Sequence, residues 1–349
     1  MRRCLNRDVF APLRTQRLLI RVPTEDDARS LHERRNDPAV AEYQAWELPF
    51  PFERAEEIVR DAQAMGAPQN DEWWMAIVTN ATTGEVLGEL AVRLSWQGRT
   101  AEVGYTFAPA HWGRGYAVEA LTALIEYLFE ELGVTRIFGT LHPDNHASAM
   151  VLERTGFVFE GRTRNSFWVG EENSDDSIYG LTRSDWETWL KRPTTPPERV
   201  ELIEVTPHNV GAVSKLATHK TQERFVATML ESFTDALIPE IVDGYPAVPW
   251  FRAVAADGEI VGFVMVALPH EHSPEPYLWR LLIDRLHQRR GIGGRVLDLV
   301  DDECRRLGAT SLLTSWGSGK GSPEPFYRRR GFQPTGALID EEIEARKRL

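Results

Sequence analysis

The chain of 349 residues is long enough for two domains of ordinary size, each burying its own core. Its hydrophobic fraction of 42% and charged fraction of 26% are those of a soluble globular protein, and no apolar run approaches the ~18 residues that a membrane span needs. A net charge of −12 argues against general nucleic-acid binding, and the two cysteines have neither metal-ligand nor disulfide spacing.

In chain order, the basic start Met1-Arg2-Arg3-Cys4-Leu5-Asn6-Arg7 lacks the apolar core of a secretion signal, so a cytoplasmic location is expected. Residues 18–22 read as a strand, and Thr24-Glu25-Asp26-Asp27 as the cap of a helix carrying Ala28, Leu31 and His32. Residues 73–78 are a buried strand, turned by Thr83-Gly84 into a second at 86–90. The strand at 101–107 runs into His111-Trp112-Gly113-Arg114-Gly115-Tyr116-Ala117. The helix after that turn has apolar residues at Ala117, Val118, Leu121, Leu124, Ile125, Leu128 and Leu132, which is helical spacing, and Gly133 ends it. A strand at 136–141, a helix at 147–155 and the pair Gly156-Phe157 follow.

Residues 191–199 form a proline-rich connector without periodicity, semi-rigid by composition. The predicted domains are therefore 1–190 and 200–349. Beyond the connector the order restarts: a strand at 200–205, a helical region at 210–217, and a hairpin turned by Asp257-Gly258. A strand at 277–283 reaches His287-Gln288-Arg289-Arg290-Gly291-Ile292-Gly293, then a helix at 294–307 with Cys304 on its apolar face. A strand at 311–315 and a short helix holding Phe326-Tyr327 precede Gly331-Phe332. One pattern thus occurs twice, and Phe107 precedes Trp112 by the interval at which Ile283 precedes Gln288. Strands alternating with single helices make each unit an α/β (α+β) layer structure.

A small-residue turn that opens a helix is a diphosphate cradle. Backbone N–H groups converge on an anion where side chains do not obstruct, hence Gly115 and Ala117, Gly291 and Gly293, and the helix adds its positive end. Arg114, Arg289 and Arg290 could add charge. Gly317-Ser318-Gly319-Lys320-Gly321-Ser322 superficially suggests a nucleotide loop, but Gly321 stands where that motif needs Ser or Thr. His270-Glu271-His272 has no third metal ligand in view, so no metal is expected. Those residues, with Asp243, Glu275 and Glu324, read better as lining for an acceptor.

Gln288-Arg289-Arg290-Gly291-Ile292-Gly293 resembles the Q/R-x-x-G-x-G/A signature of the GCN5-related N-acetyltransferases. Trp112-Gly113-Arg114-Gly115-Tyr116-Ala117 is similar to the variant in their ribosomal-protein Nα-acetyltransferase branch. The resemblance implies two tandem domains, each a mixed, splayed central sheet with helices on both faces, and acetyl-coenzyme A as cosubstrate. It implies coenzyme contacts at Thr106, Phe107, Trp112, Gly113, Arg114, Gly115, Tyr116, Ala117 and Asn145 in the first domain. In the second it implies them at Leu282, Ile283, Gln288, Arg289, Arg290, Gly291, Ile292, Gly293 and Gly294.

Asn145-His146-Ala147-Ser148 matches that branch's N-x-x-S element, which implies Ser148 near the sulfur. Glu160 matches the place of a carboxylate proposed there as general base. Phe326-Tyr327-Arg328-Arg329-Arg330-Gly331-Phe332 resembles F-Y-x-x-x-G-F, in which the tyrosine gives a proton to the leaving thiolate. Acetyl would pass to a primary amine by direct attack, the acceptor a small cationic amine such as a polyamine or aminoglycoside, or a peptide N-terminus through the first domain. A silent acyl-coenzyme A-binding scaffold in one half, and a homodimer, stay open. Neither a nucleic-acid nor a membrane partner is expected.

Overall fold

A computed structural model describes residues 9–242 and 244–349. The basic N-terminus with Cys4, and Asp243, lie outside the described residues. Backbone contacts divide the chain into two compact units, the first ending at Leu190 and the second starting at Lys191.

In the first unit the strands are β1 (Leu13–Arg14), β2 (Leu18–Arg21), β3 (Trp73–Asn80), β4 (Val86–Ser95), β5 (Thr100–Phe107), β6 (Arg136–Leu141), β7 (Val158–Val169) and β8 (Glu172–Thr182). Its helices are α1 (Asp27–Arg35), α2 (Pro38–Ala41), α3 (Phe52–Met65), α4 (Tyr116–Glu126), α5 (His146–Arg154) and α6 (Arg183–Lys191). The sheet runs β1-β2-β3-β4-β5-β6-β8-β7. Every pairing is antiparallel except that of β5 with β6.

Residues 74 to 78 of β3 are all buried, so both faces of this strand are covered, as its continuous apolar run requires. Helix α3 buries Ala55, Val59 and Ala62, one stripe at helical spacing, and stops at Gly66, whose left-handed φ of 67° favours glycine. Helix α4 buries Ala120, Leu121, Leu124 and Ile125. The expected cap of α1 differs: no side chain caps it at Asp26. Asp27 accepts from the Thr24 N–H at 2.6 Å and pairs with Arg21, because a buried carboxylate needs both a donor and a cation.

The second unit repeats the plan. Its strands are β9 (Val200–Ile203), β10 (Ile241–Val242), β11 (Tyr245–Pro246), β12 (Val248–Ala256), β13 (Glu259–Leu268), β14 (Tyr277–Ile283), β15 (Ser311–Trp316), β16 (Gln333–Ile339) and β17 (Glu342–Arg348). Its helices are α7 (Val210–Val213), α8 (Met229–Leu237), α9 (Ile292–Arg306) and α10 (Glu324–Arg329). The main sheet runs β16-β17-β15-β14-β13-β12-β9, and again one pairing, β14 with β15, is parallel. Asp257 and Gly258 both take positive φ, 52° and 86°, which turns β12 into β13 without splaying them.

Helix α9 buries Val296, Leu297, Val300 and Cys304. Burial pushes the Cys304 thiol up to about 11, so it is a packing group and not a nucleophile at neutral pH. The connector is not a free spacer. Arg290 donates to the Thr195 carbonyl, and Arg295 to those of Pro197 and Glu198, which straps residues 195–198 to the start of α9.

Candidate active sites in two parted strand pairs

Strands β5 and β6 pair only through Thr100–Arg136, Ala101–Ile137 and Glu102–Phe138, and the parallel register goes no further. Strands β14 and β15 pair at Tyr277–Leu313 alone. Each pair therefore opens like a V. Strand β5 keeps its other edge, with Glu89 opposite Thr106 and Gly88 opposite Phe107. Strand β14 matches it, with Gly262 opposite Ile283.

The two neighbouring glycines have a steric reason. A Cβ on Gly88 would lie well inside contact distance of the Thr106 carbonyl, and one on Gly262 would do the same to the Leu282 carbonyl. We expect Gly88→Ala and Gly262→Ala each to force the strand end aside and cost about 1–3 kcal/mol, read from the melting of the affected domain. Composition and period gave no sign of this pair.

Beyond each strand the chain makes the glycine turn. Gly113 and Gly115 have φ of 73° and 79°; Gly291 has 77°, and Arg289 holds the left-handed place of Gly113 with φ 64°. Both turns are open. An added Cβ at Gly113 or Gly291 meets nothing within 4 Å, and Arg114 and Arg289 are exposed. Neither α4 nor α9 has a side-chain cap, so the first N–H groups of each, those of Tyr116 and Ala117 and those of Ile292, Gly293 and Gly294, have no partner within the helix. These ends can hold a diphosphate.

The side chains of the signature divide differently from expectation. Trp112 turns its indole N–H onto the Phe107 carbonyl at 2.7 Å, and Gln288 turns its amide onto the Ile283 carbonyl at 3.0 Å. The first signature residue thus ties the turn to the strand end in both units and has its polar group committed there. Arg290 corrects the sequence reading: it is 7% exposed, spent on Thr195 and on His287 Nδ1, and offers no charge to the turn. A cation missed by the sequence stands at the first turn. Arg17 pairs with Glu119, donates to the Arg114 carbonyl at 2.9 Å, and lies 4.6 Å over the Tyr116 ring.

Asn145 caps α5, its side-chain oxygen accepting from the Ser148 N–H at 3.0 Å. Ser148 lies in the first turn of α5, where the Tyr105 hydroxyl of β5 reaches both its carbonyl and its Oγ at 2.8 Å. Glu160 does not join them. Its carboxylate forms a two-pronged pair with Arg136, the first residue of β6, at the closed end of the V. Leu141 lies five residue steps along the strand from Arg136, roughly 17 Å, too far for direct or single-water proton transfer.

In the second cleft Tyr327 lies just past the last paired residues. Thr314 bridges to the Leu278 carbonyl at 3.1 Å, and the buried Tyr327 ring stacks 5.7 Å from Trp316 on the same strand as Thr314. Burial raises its pKa well above the ordinary phenol value, so it stays protonated. The expected acceptor lining there is reduced: Glu275 is taken by Arg346 and Glu324 by Arg328. His272 stacks on Tyr245 at 3.6 Å. Among the described residues no group of three or more His, Cys, Asp or Glu could hold a metal ion.

At the open end of the first cleft, His142 follows the last residue of β6 and stacks 5.1 Å from Tyr43. Asp144 lies 3.8 Å from His142. Asp176 adjoins Ser177, which pairs with Leu141, and burial raises its carboxyl above the usual range. The sequence reading named none of these.

Two family models match. The acetyltransferase (GNAT) domain covers residues 17–158, and the acetyltransferase (GNAT) family covers residues 214–332. The uncharacterized N-acetyltransferase YoaA of Bacillus subtilis is 28% identical over 176 residues, 50% of this chain and 98% of that protein. The uncharacterized N-acetyltransferase p20 of Bacillus licheniformis is 31% identical over 155 residues, 44% of this chain and 85% of that one. A solved GNAT-family acetyltransferase from Bacillus anthracis is 28% identical, covering 50% of this chain and 99% of its own, with a TM-score of 0.44. Relatives of nearly full length thus correspond to about half of this chain. No helix among the described residues is long and apolar enough to cross a membrane.

Proposed function

The chain belongs to the GCN5-related N-acetyltransferase family through both of its domains, with acetyl-coenzyme A as cosubstrate, and we propose that each domain acetylates a primary amine on a small cationic acceptor. The observation that carries the reading is the repeated juxtaposition of an open, uncapped glycine turn with the free edge of a parted strand. The coenzyme supplies an activated thioester. The N-terminal amides of α4 and α9 receive its diphosphate, and the free backbone edges near Thr106-Phe107 and Leu282-Ile283 orient its pantetheine arm and acetyl carbonyl. Ser148 in one cleft and Tyr327 in the other offer a hydroxyl to the departing sulfur.

An amine with a pKa near 10 is almost wholly protonated at neutral pH, so the site must attract a cation and then take its proton. Asp144 and Asp176, with the Tyr43 and His142 rings, suit that task at the open end of the first cleft. Asp176→Asn is expected to raise the acceptor KM about tenfold and leave acetyl-coenzyme A affinity unchanged. Because the Asp176 pKa is raised, its charge is present above that value. The native acceptor KM should therefore rise as pH falls through it, and the Asn variant should lack this limb. A screen of polyamines, aminoglycosides and free-N-terminal peptides, following released thiol, tests the proposal. Acetyl-coenzyme A binding with no amine-dependent thiol release would overturn it.

A further inference from the structure

The two clefts differ in how a phenol enters them. In the second, Tyr327 comes from helix α10. The residue of α5 at the same interval before its Gly-Phe pair is Leu152, which is buried. The first domain therefore has no phenol at that helical position. It has one from the opposite wall: Tyr105 of β5 spans the gap to α5, and its hydroxyl lies 2.8 Å from both the carbonyl oxygen and the Oγ of Ser148.

We propose that Tyr105 is a positioning residue of the first domain, a donor that frees the Ser148 hydroxyl hydrogen for the sulfur of the departing coenzyme A. The proposal rests on the acetyltransferase reading above. Its logic is a count of hydrogens. A tyrosine hydroxyl has one proton, and here two acceptors lie at equal distance. Donating to the carbonyl, Tyr105 presents its own oxygen to the Ser148 O–H, whose hydrogen is then engaged with the phenol. Donating to Oγ, it occupies one lone pair of Ser148 and leaves that O–H free for a third partner. Burial raises the phenol pKa far above neutrality, so Tyr105 keeps its proton and acts by orientation.

In the reaction the amine lone pair forms the C–N bond and the C–S bond breaks with its electron pair going to sulfur. The Ser148 O–H meets that negative charge. The proton shed by the nitrogen passes to water, and the sulfur takes one from water as it leaves, so protons and electrons balance. A strut that merely closes the V would share the geometry but not the effect on sulfur.

The test uses the full chain carrying Gly291→Asp to close the second turn, with coenzyme A and acetyl-coenzyme A as probes. The pKa of the bound thiol is read from thiolate absorbance against pH, and the affinity of each probe by calorimetry. The native first site should hold the bound thiol below the value that free coenzyme A shows in the same titration. Tyr105→Phe should raise the bound-thiol pKa by about one unit, Ser148→Ala should do the same, and the double variant should add nothing. Acetyl-coenzyme A affinity should stay within about twofold throughout. An unchanged thiol pKa in a folded Tyr105→Phe variant would make Tyr105 a strut and end the proposal. Should that variant not fold, an unchanged pKa in Ser148→Ala ends it equally. Failure of the native chain to bind either probe would instead overturn the acetyltransferase reading itself.

Discussion

The native chain is expected to bind two acetyl-coenzyme A equivalents, of which Gly115→Asp should remove one and Gly291→Asp the other. Both glycines stand at the N-cap with φ of 79° and 77°, a region that Asp enters at small cost, so each variant should fold. The new carboxylate would sit in front of the uncapped N–H groups, where it can cap them itself, and would repel a diphosphate. Two unit charges about 4 Å apart near a protein surface interact by about 4 kcal/mol, equivalent to roughly a thousandfold in affinity. Calorimetry should therefore give two sites for the native chain, one for each single variant and none for the double. A single variant that still binds two equivalents would show that the altered turn does not hold the coenzyme.

The doubled architecture was legible because its signals are local. A glycine turn between a strand and an amphipathic helix, followed by a Gly-Phe pair, fixes itself within some forty residues and needs no long-range partner. The repeated spacing from Phe107 to Trp112 and from Ile283 to Gln288 becomes a shared hydrogen bond to the strand end. What was not legible is where charged side chains spend themselves. Glu160 looked available by position, but a bulge in β7 turns it toward Arg136, two strands away in the sheet. Arg290 looked like a phosphate ligand, but the connector supplies a carbonyl that takes its guanidinium. Tyr105 read as one more strand residue, since its partner lies on a helix that only the fold brings opposite.

The other large expected effect concerns what holds the free edge of β5 in place. Glu89 lies opposite Thr106 and is buried with Arg34 and Arg35 of α1: its side chain is 3% exposed, against 2% and 14% for the arginines. Burial alone would raise the Glu89 pKa, but the two guanidiniums outweigh it and hold the carboxyl below its usual range. Arg35 has further support from Trp46 and Phe50, whose rings lie 4.5 and 5.1 Å away, whereas the Nε of Arg34 is buried with no hydrogen-bond partner. Glu89→Gln would therefore leave Arg34 as an uncompensated buried charge, costing about 3–5 kcal/mol. At roughly 2–4 °C per kcal/mol for a domain of this size, the first calorimetric transition should fall on the order of 10 °C, and the second should not move.

Replacing Glu89 together with its fully buried partner, Glu89→Leu with Arg34→Leu, should cost less than the single change, because Arg34 is no longer stranded and Arg35, 14% exposed, keeps the Trp46 and Phe50 rings. The sign with pH follows from the lowered folded pKa. The stabilisation is complete above the unfolded glutamate value of about 4.3 and is lost as pH falls through the lower folded value. The native first domain should thus lose stability on acidification below about pH 4.3 more steeply than the Gln variant does. Equal acid slopes in the two proteins would mean that the Arg34–Glu89–Arg35 cluster does not anchor the strand that carries Thr106.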